Sequence, residues 1–288
     1  MIGARCNGWG LVEFLIAIAL GLVVSLLASG LLIASGGASR NHSESQWLGD
    51  GGRYALRLMA QAIRQGAYLN WDSDLAPPAL ATASVDGLDA ASISRGSDGI
   101  SAPLPAVANG SDVLALRFYG AGEGVNGDGS SVNCGGFGVA GGVQGWSIFY
   151  VAADAGGVTE LRCKYRSAGG WGADAIVRGV DSFQVLYGVD SDVPMDGVPN
   201  TYLNATAVRA IDGWKRVCSI KLALLLHGEH NTRADTVNGR YDLFGPAYSE
   251  SHGEDVGVRV VEARLPPSQR LRARRVFGMT VALRNRDG

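Results

Sequence analysis

The chain begins with a long apolar run, and an amphipathic stretch follows it. Residues 11–34 are almost wholly apolar. At about 1.5 Å per residue, a helix of this length crosses a hydrocarbon core of about 30 Å. Apolar positions then recur at helical spacing over residues 47–63. The two patterns predict one long helix over residues 9–65, with the glycine pairs at 36–37 and 51–52 as its weak points.

Beyond Gly66, a predicted helix stop, the apolar pattern changes to a period of two, which is typical of β-strands. Residues 66–112 show no clear period and are predicted to form a loop, and residues 120–145 form a glycine-rich loop. The predicted strands lie at residues 114–118, 146–151, 161–165, 183–187, 220–226 and 277–283. These patterns predict an α+β fold, in which a long N-terminal membrane-spanning helix packs on a mostly antiparallel β head.

Composition and charge narrow the functional classes. The formal net charge of −2 over 288 residues gives no support for nucleic-acid binding, and no direct contact with nucleic acid is expected. The 42 glycines favour turns and β-structure over a helical bundle. Cys6 precedes the apolar run and the other three cysteines follow it. We therefore expect the body of the chain to lie across a membrane, where disulfides persist.

Arg5 precedes the apolar run, which favours a cytoplasmic N-terminus and a translocated body. The run itself has two ordinary explanations, a secretory signal peptide and a plain membrane anchor. A secretory signal peptide, cleaved near Ala38, would have a shorter apolar region of about 7–15 residues. A plain membrane anchor does not explain Glu13, because a carboxylate costs roughly 2.5–3.5 kcal/mol at the membrane centre. No Lys or Arg lies within one helical turn of Glu13, so its partner is expected from another chain or from a chain terminus.

The segment Gly8-Trp9-Gly10-Leu11-Val12-Glu13 resembles the type IV prepilin motif. The resemblance implies that a dedicated peptidase cuts after Gly8 and that the new N-terminal residue, Trp9, is N-methylated. Trp9 stands where the family usually has Phe. The resemblance also gives Glu13 the family's assembly role, in which it pairs with the Trp9 amine of a neighbouring subunit. Leaving a buried charge unpaired costs about 3–5 kcal/mol, so this pair would favour the correct register between helices.

Four further segments resemble the PilW-like minor pilins. They lie at residues 52–60, 180–190, 214–226 and 275–285. This resemblance implies a non-enzymatic subunit of the bacterial inner membrane and the pilus, or fimbrium. Such a subunit takes part in initiating pilus assembly, and the filament tip is one position for it. The filament would support adhesion, twitching motility or DNA uptake. The implied partners are other minor pilins, the major pilin, the prepilin peptidase/methyltransferase and the inner-membrane assembly platform.

The expected domain organisation has four parts. They are a prepilin leader (1–8), a transmembrane and filament-core helix (9–36), an amphipathic continuation (37–65) and a periplasmic β-rich head (66–288). Two alternatives remain open. A J-type minor pseudopilin of a type II secretion system is a close relative of the PilW-like proteins. A membrane-anchored periplasmic metal-dependent hydrolase would use His227 and His230, but such an enzyme needs neither Gly8 nor Glu13.

The cysteines after the apolar run have an implied pairing. Cys134 lies in the glycine-rich loop and Cys163 on a predicted strand. The PilW-like family often has such a pair, so the resemblance implies a Cys134–Cys163 disulfide. A loop of about 30 residues closed in this way would contribute about 3 kcal/mol on the chain-entropy model. Cys218 is in phase with the apolar positions of its strand and is expected to be a buried thiol, with pairing to another cysteine left open.

Two polar clusters are candidate metal sites, although no cofactor is expected. Asp190, Asp192, Asp196 and Asn200 place oxygen atoms at the close spacing that calcium prefers. The EF-hand spacing is broken and no closing Glu is present, so a plain Asp/Gly turn is the alternative. Residues 227–230 (His-Gly-Glu-His) offer two imidazoles and a carboxylate, but they do not follow the His-Glu-x-x-His pattern. A polar loop after a strand is expected there.

The C-terminal region is rich in arginine. Seven arginines lie between Arg264 and Arg286, several of them alternating with apolar residues. They are expected to form a solvated face, or an edge that meets an acidic neighbour or a polyanion in a salt-dependent way. The chain contains no nucleophile elbow, phosphate loop or dinucleotide fingerprint, and no catalytic residue is predicted.

Overall fold

The computed structural model describes residues 10–67, 83–233, 235 and 238–285. Helix α1 runs from Leu11 to Gln65 without a break, as one long helix. It ends where the backbone N–H of Gly66 donates to two carbonyls of the last turn. The described residues also form helices α2 (Ala205–Ala210) and α3 (Pro246–Ser251) and 3-10 turns at Trp214–Arg216, Glu262–Arg264 and Pro267–Gln269.

The described strands form two main antiparallel sheets. In chain order, β1 to β13 are Val85–Leu88, Ala91–Ile93, Pro103–Pro105, Val113–Tyr119, Gln144–Ala153, Thr159–Ser167, Gly170–Arg178, Val180–Val189, Thr201–Leu203, Val217–Asn231, Arg240–Asp242, Arg259–Val261 and Arg272–Ala282. One sheet has the order β1-β4-β5-β6-β7 and the other β13-β10-β8-β9, and β2–β3 and β11–β12 form two small sheets. The paired strands run antiparallel, which with the long helix confirms the predicted α+β class.

The predicted strands are present as β4, β5, β6, β8, β10 and β13, but two expectations are wrong. Residues 66–112 were predicted to be a loop, yet their described part contains β1, β2 and β3. These strands have only three or four residues each, which is too short for a period of two to be visible. Strand β10 extends to Asn231, so residues 227–230 lie on a strand rather than in a polar loop.

Helix α1 packs on the inner faces of both sheets. Its buried residues Met59 and Ile63 lie in one apolar cluster with Phe183 of β8 and Leu224 of β10. The glycine pair at 51–52 was predicted to be a weak point, but the helix is continuous there. A Cβ atom at position 52 would lie 2.5 Å from the Phe277 ring, and one at position 51 would lie 2.9 Å from Val177. The two glycines therefore let the helix approach both sheets closely.

Asp112 joins the two sheets where β4 begins. Its backbone N–H donates to the carbonyl of Phe183 at 2.8 Å, and its Oδ2 accepts from the N–H of Val185 at 2.9 Å. Its Oδ1 accepts from the N–H of Ala90 at 3.0 Å. Burial raises the pKa of Asp112 well above its ordinary value, and the nearby charge of Asp89 raises it further. One buried carboxyl thus satisfies backbone donors from β8 and from the β1–β2 turn.

Candidate functional site

The first half of α1 is an apolar rod that the head leaves uncovered. Residues Leu11–Ile33 have a mean hydropathy of 2.7, and the most apolar window of this segment has no residue buried inside the protein. Leu31 and Ile33, for example, are 73% and 77% exposed. A helix of this length and composition is long enough to cross a bilayer. Such a large apolar surface requires a cover of lipid or of other proteins.

Glu13 is the charged residue of this rod. Its Oε2 accepts a hydrogen bond from the backbone N–H of Gly10 at 3.0 Å. Leu11–Ile33 contains no basic side chain that could neutralise the carboxylate. The predicted cleavage and methylation residues, Gly8 and Trp9, lie outside the described residues. A carboxylate in an apolar environment needs a charged partner, and the described part of the rod does not supply one.

Glu44 connects the stem helix to the head. One of its carboxylate oxygens accepts from the backbone N–H of Glu229 at 2.9 Å, and the other lies 2.7 Å from Nδ1 of His230. Both partners lie at the end of β10. A Cβ atom at Gly228 would overlap the Glu44 carboxylate as it is placed, so glycine at this position leaves room for the contact. The contact fixes the helix against the head just before its buried part begins at Leu48.

A buried charge network connects β8, β10 and β13. Nδ1 of His227 donates to Oδ1 of Asp181 at 3.0 Å, and Nε of Arg274 donates to Oδ2 of Asp181 at 2.6 Å. Nη1 of Arg274 lies 3.5 Å from Oε1 of Glu262, and the arginine side chain is fully shielded from solvent. The expectation that the C-terminal arginines form a solvated face is therefore wrong for Arg274. Two carboxylates compensate the cost of burying its charge.

The carboxylates of this network stay ionised at neutral pH. Burial raises the pKa of Asp181, but the hydrogen bond from His227 and the charge of Arg274 outweigh it, so the net pKa is lowered. Glu262 behaves in the same way, because the Gly239 N–H, the Tyr241 hydroxyl and Arg233 outweigh its burial. Burial and the neighbouring Glu262 raise the pKa of Tyr241 to about 12. Tyr241 therefore remains a hydrogen-bond donor to Glu262.

His227 and His230 do not form a common metal site. Nδ1 of His227 binds the buried Asp181, whereas His230 is 73% exposed and binds Glu44 of the helix. Among the described residues, the one group of three His, Cys, Asp or Glu ligand atoms that come together is Asp190, Asp192 and Asp196, far from both histidines in sequence. Sequence reasoning missed the network of Asp181 and Arg274. The available signal was Asp181, the one charged residue of the mostly apolar strand β8.

The acidic turn after β8 is closed by its own hydrogen bonds. Asp190 is buried, and its two carboxylate oxygens accept from the N–H groups of Asp192 at 3.0 Å and Gly197 at 2.6 Å. Oδ1 of Asn200 accepts from the N–H of Ser191 at 2.6 Å. The turn brings carboxylate oxygens of Asp190, Asp192 and Asp196 within 4.8 Å of one another. Such turns commonly form without an ion, and calcium binding at this turn remains a prediction.

A disulfide and a buried lysine hold two loops on β6. Cys134 and Cys163 are disulfide-bonded, with their Cα atoms 5.9 Å apart, so the bond ties the glycine-rich loop to β6. Nζ of Lys164, on the same strand, donates to the carbonyls of Ser97 at 2.7 Å and Gly99 at 2.8 Å. Burial lowers the pKa of Lys164 to about 8. Cys218 is a buried thiol of β10 whose Sγ lies 3.5 Å from the Gly188 carbonyl oxygen.

The C-terminal half of the chain resembles a known protein family. Residues 148–285 match the PilW family model, described as type IV pilus-assembly protein W. The match covers just under half of the chain and runs from within β5 to just beyond β13. It includes Asp181, His227 and Arg274 of the buried network, and it excludes α1. Comparisons with curated proteins and with solved structures gave no match.

Proposed function

Residues 148–285 match the model of the PilW family, the type IV pilus-assembly protein W. From this match we propose that the protein is a minor pilin that helps to initiate pilus assembly. The observation that carries the proposal is the combination of this head with an uncovered apolar rod on one continuous helix. The head packs on the second half of α1 and leaves Leu11–Ile33 exposed. A subunit of this form can leave the bilayer only by exchanging lipid for the apolar helices of other subunits.

Glu13 would direct this exchange. Cleavage after Gly8 would create a charged amine at Trp9, four residues before a carboxylate whose described partner is a backbone N–H. In the filament core, Glu13 of one subunit would pair with the Trp9 amine of its neighbour. Because an unpaired buried charge costs about 3–5 kcal/mol, helices shifted out of register would be disfavoured.

The proposed location is the bacterial inner membrane, with a cytoplasmic N-terminus and a periplasmic head, and then the pilus. The Cys134–Cys163 disulfide supports a head in an oxidising compartment. The proposed partners are other minor pilins, the major pilin, the prepilin peptidase and the assembly platform. Adhesion, motility or DNA uptake would follow from the filament rather than from a reaction at this head. The PilW match favours a pilus over the pseudopilus of a secretion system.

The experiment that tests the proposal is N-terminal sequencing and intact-mass measurement of the membrane-extracted protein, with and without prepilin peptidase. We expect a peptidase-dependent N-terminus at Trp9. N-methylation of Trp9 would add the mass of one methyl group. Gly8→Val should abolish cleavage, while the matched change Gly10→Val should leave it intact. An unprocessed chain would leave a plain membrane anchor, and cleavage near Ala38 would make the head a secreted domain. Either result overturns the proposal.

Incorporation into filaments is tested separately with Glu13. Glu13→Ala should still be cleaved and should remain in the membrane, but it should be lost from sheared, purified pili. Asp50→Ala, which removes an exposed carboxylate from the same helix outside the apolar rod, is the matched control and should still be incorporated. Equal recovery of Glu13→Ala and the unaltered protein in pili would show that this carboxylate does not direct assembly.

A further inference from the structure

Strand β13 is paired along one edge only. Its residues 274–282 pair with residues 219–227 of β10 without a register shift. It is the outermost strand of its sheet, so its other edge has no strand partner among the described residues. An open edge of this kind presents a row of backbone N–H and C=O groups to any extended chain, and proteins normally protect it.

The backbone groups that point outward follow from one hydrogen bond. The N–H of Leu283 donates to the carbonyl of Cys218 at 2.9 Å. In an antiparallel pair the residues alternate between facing the partner strand and facing away from it. With the observed register, residues 281, 279 and 277 therefore bond to β10, and residues 282, 280, 278 and 276 direct their N–H and C=O groups outward. In the described part of the chain no hydrogen bond reaches the outward backbone groups of Val276, Gly278, Thr280 or Ala282.

The opposite side of the same sheet is protected. The outward backbone groups of Phe183 and Val185 on β8 bond to Ser111 and Asp112, and β9 pairs with the end of β8. The edge strand β7 of the other sheet carries Asp174 and Arg178, which are charges of the kind that discourage strand addition. In contrast, the outward positions 278, 280 and 282 of β13 carry exposed Gly, Thr and Ala. Neither charge nor bulk blocks another strand there.

The arginines at the two ends of this edge favour a partner segment with acidic residues at its ends. Arg275 precedes the uncharged stretch and Arg284 follows it, and both are exposed. The stretch of residues 276–282 spans roughly 23 Å in an extended conformation. Antiparallel pairing of two copies of the edge would bring Arg284 of one copy beside Arg275 of the other, and like charges across a strand pair are destabilising. The edge is therefore matched to a different chain with acidic flanks.

We propose that the free edge of β13, over residues 276–282, binds an extended segment of another protein by β-strand addition. This segment carries acidic side chains on either side of about seven uncharged residues. The backbone hydrogen bonds supply the affinity, and Arg275 and Arg284 favour the acidic flanks. The inference goes beyond the proposed function, since the edge would bind in this way whether or not the chain enters a pilus.

Binding is measured by fluorescence anisotropy with the full chain in detergent and three labelled synthetic peptides. Two peptides share an alternating Val/Thr core of seven residues and differ only in Glu or Lys flanks. The third has Glu flanks and Pro at alternate core positions, which removes the backbone donors. We expect the Glu-flanked peptide to bind, the Lys-flanked peptide to bind about tenfold more weakly, and the Pro peptide not to bind.

Variants of the edge separate backbone pairing from simple charge attraction. Thr280→Pro removes an outward N–H, and an edge strand tolerates proline at such a position. This variant should bind the Glu-flanked peptide about tenfold or more weakly than the unaltered protein does. Thr280→Val keeps the backbone group and should bind normally. If Thr280→Pro does not fold by circular dichroism, the double change Arg275→Glu and Arg284→Glu provides the test, because it should reverse the preference toward the Lys-flanked peptide.

Four binding results would overturn the inference, and so would one sedimentation result. The four binding results are absence of binding by every peptide, equal binding of the Pro peptide, full binding by folded Thr280→Pro, and an unchanged preference in the charge-reversed variant. Sedimentation that shows a dimer of the full chain which Thr280→Pro dissociates would mean that a second copy occupies the edge, against the acidic partner proposed here. None of these measurements depends on N-terminal processing, so this inference and the proposed function can fail independently.

Discussion

Gly52 shows how a missing side chain fixes the distance between a helix and a sheet. We expect Gly52→Ala to lower the free energy of unfolding by about 1–3 kcal/mol, because the new Cβ would lie 2.5 Å from the Phe277 ring. Alanine favours a helix over glycine by about 1 kcal/mol, which does not compensate for this overlap. Gly36→Ala is the matched control, since it lies in the same helix with no atom within 4 Å. Denaturant unfolding in detergent measures both, and equal stability of the two variants would contradict the close approach.

Arg274 is the buried cation on which two carboxylates depend. We expect Arg274→Met to destabilise the head by about 3–5 kcal/mol, because it leaves Asp181 and Glu262 buried without their shared partner. Arg275→Met, one residue later and exposed, should change the stability by less than about 0.5 kcal/mol. Urea titrations of both variants make the comparison. Similar losses in the two variants would mean that the strand, and not the charge network, determines the effect.

The same network predicts a pH dependence with a definite sign. Asp181 and Glu262 have pKa values that are lowered in the folded protein. They therefore contribute stability above their unfolded pKa values of about 4, and this contribution is lost as the pH falls through the folded values. In Arg274→Met, Asp181 loses one of the charges that lower its pKa, while His227 remains beside it. We expect the stability difference between the unaltered protein and Arg274→Met to shrink from pH 6 toward pH 3, whereas parallel stability curves would exclude this linkage.

At the scale of elements, the sequence predicts the helices and strands that contain a long apolar run or a repeating apolar pattern. The helix of 55 residues and six of the strands were identified, but the nine-residue strand β7 was not identified. The three short strands before β4 were not, because three or four residues carry no readable period and tertiary contacts decide their conformation. The network of Asp181, His227 and Arg274 was missed for another reason. Its members come from three strands, and only the sheet order brings them together.

The disulfide acts on a loop that has little apolar burial of its own. We expect the double change Cys134→Ser and Cys163→Ser to cost about 3 kcal/mol on the chain-entropy model, because the bond closes 29 residues of sequence. Limited proteolysis should then cut residues 120–143 first. Cys218→Ala leaves the bond intact and should not increase cleavage in this loop. Unchanged proteolysis of the double variant would show that the hydrogen bonds of the loop are sufficient to hold it.

At the scale of the whole molecule, the protein separates surfaces that need a partner from surfaces that do not. The apolar core is buried inside the protein. The charges of the network pair with each other, and the β8 side of the four-stranded sheet has hydrogen-bond partners within the chain. The apolar rod and the open edge of β13 are not satisfied within the described residues. They need different partners, since one requires an apolar environment and the other an extended chain. A subunit with both can be held by its helix while its head contacts a second protein.

This separation predicts that the head does not need the rod in order to fold. The most apolar window of Leu11–Ile33 has no buried residue, and the buried core of α1 starts at Leu48. A chain that begins at Ser35 keeps Glu44 and its contacts with Glu229 and His230. We expect it to be soluble without detergent and monomeric in sedimentation, with a melting temperature close to that of the full chain. The matched truncation at Arg53 removes Leu48 and Glu44 and should be clearly less stable. If the chain from Ser35 aggregated or melted as early as the shorter one, the rod would have to contribute to the fold of the head.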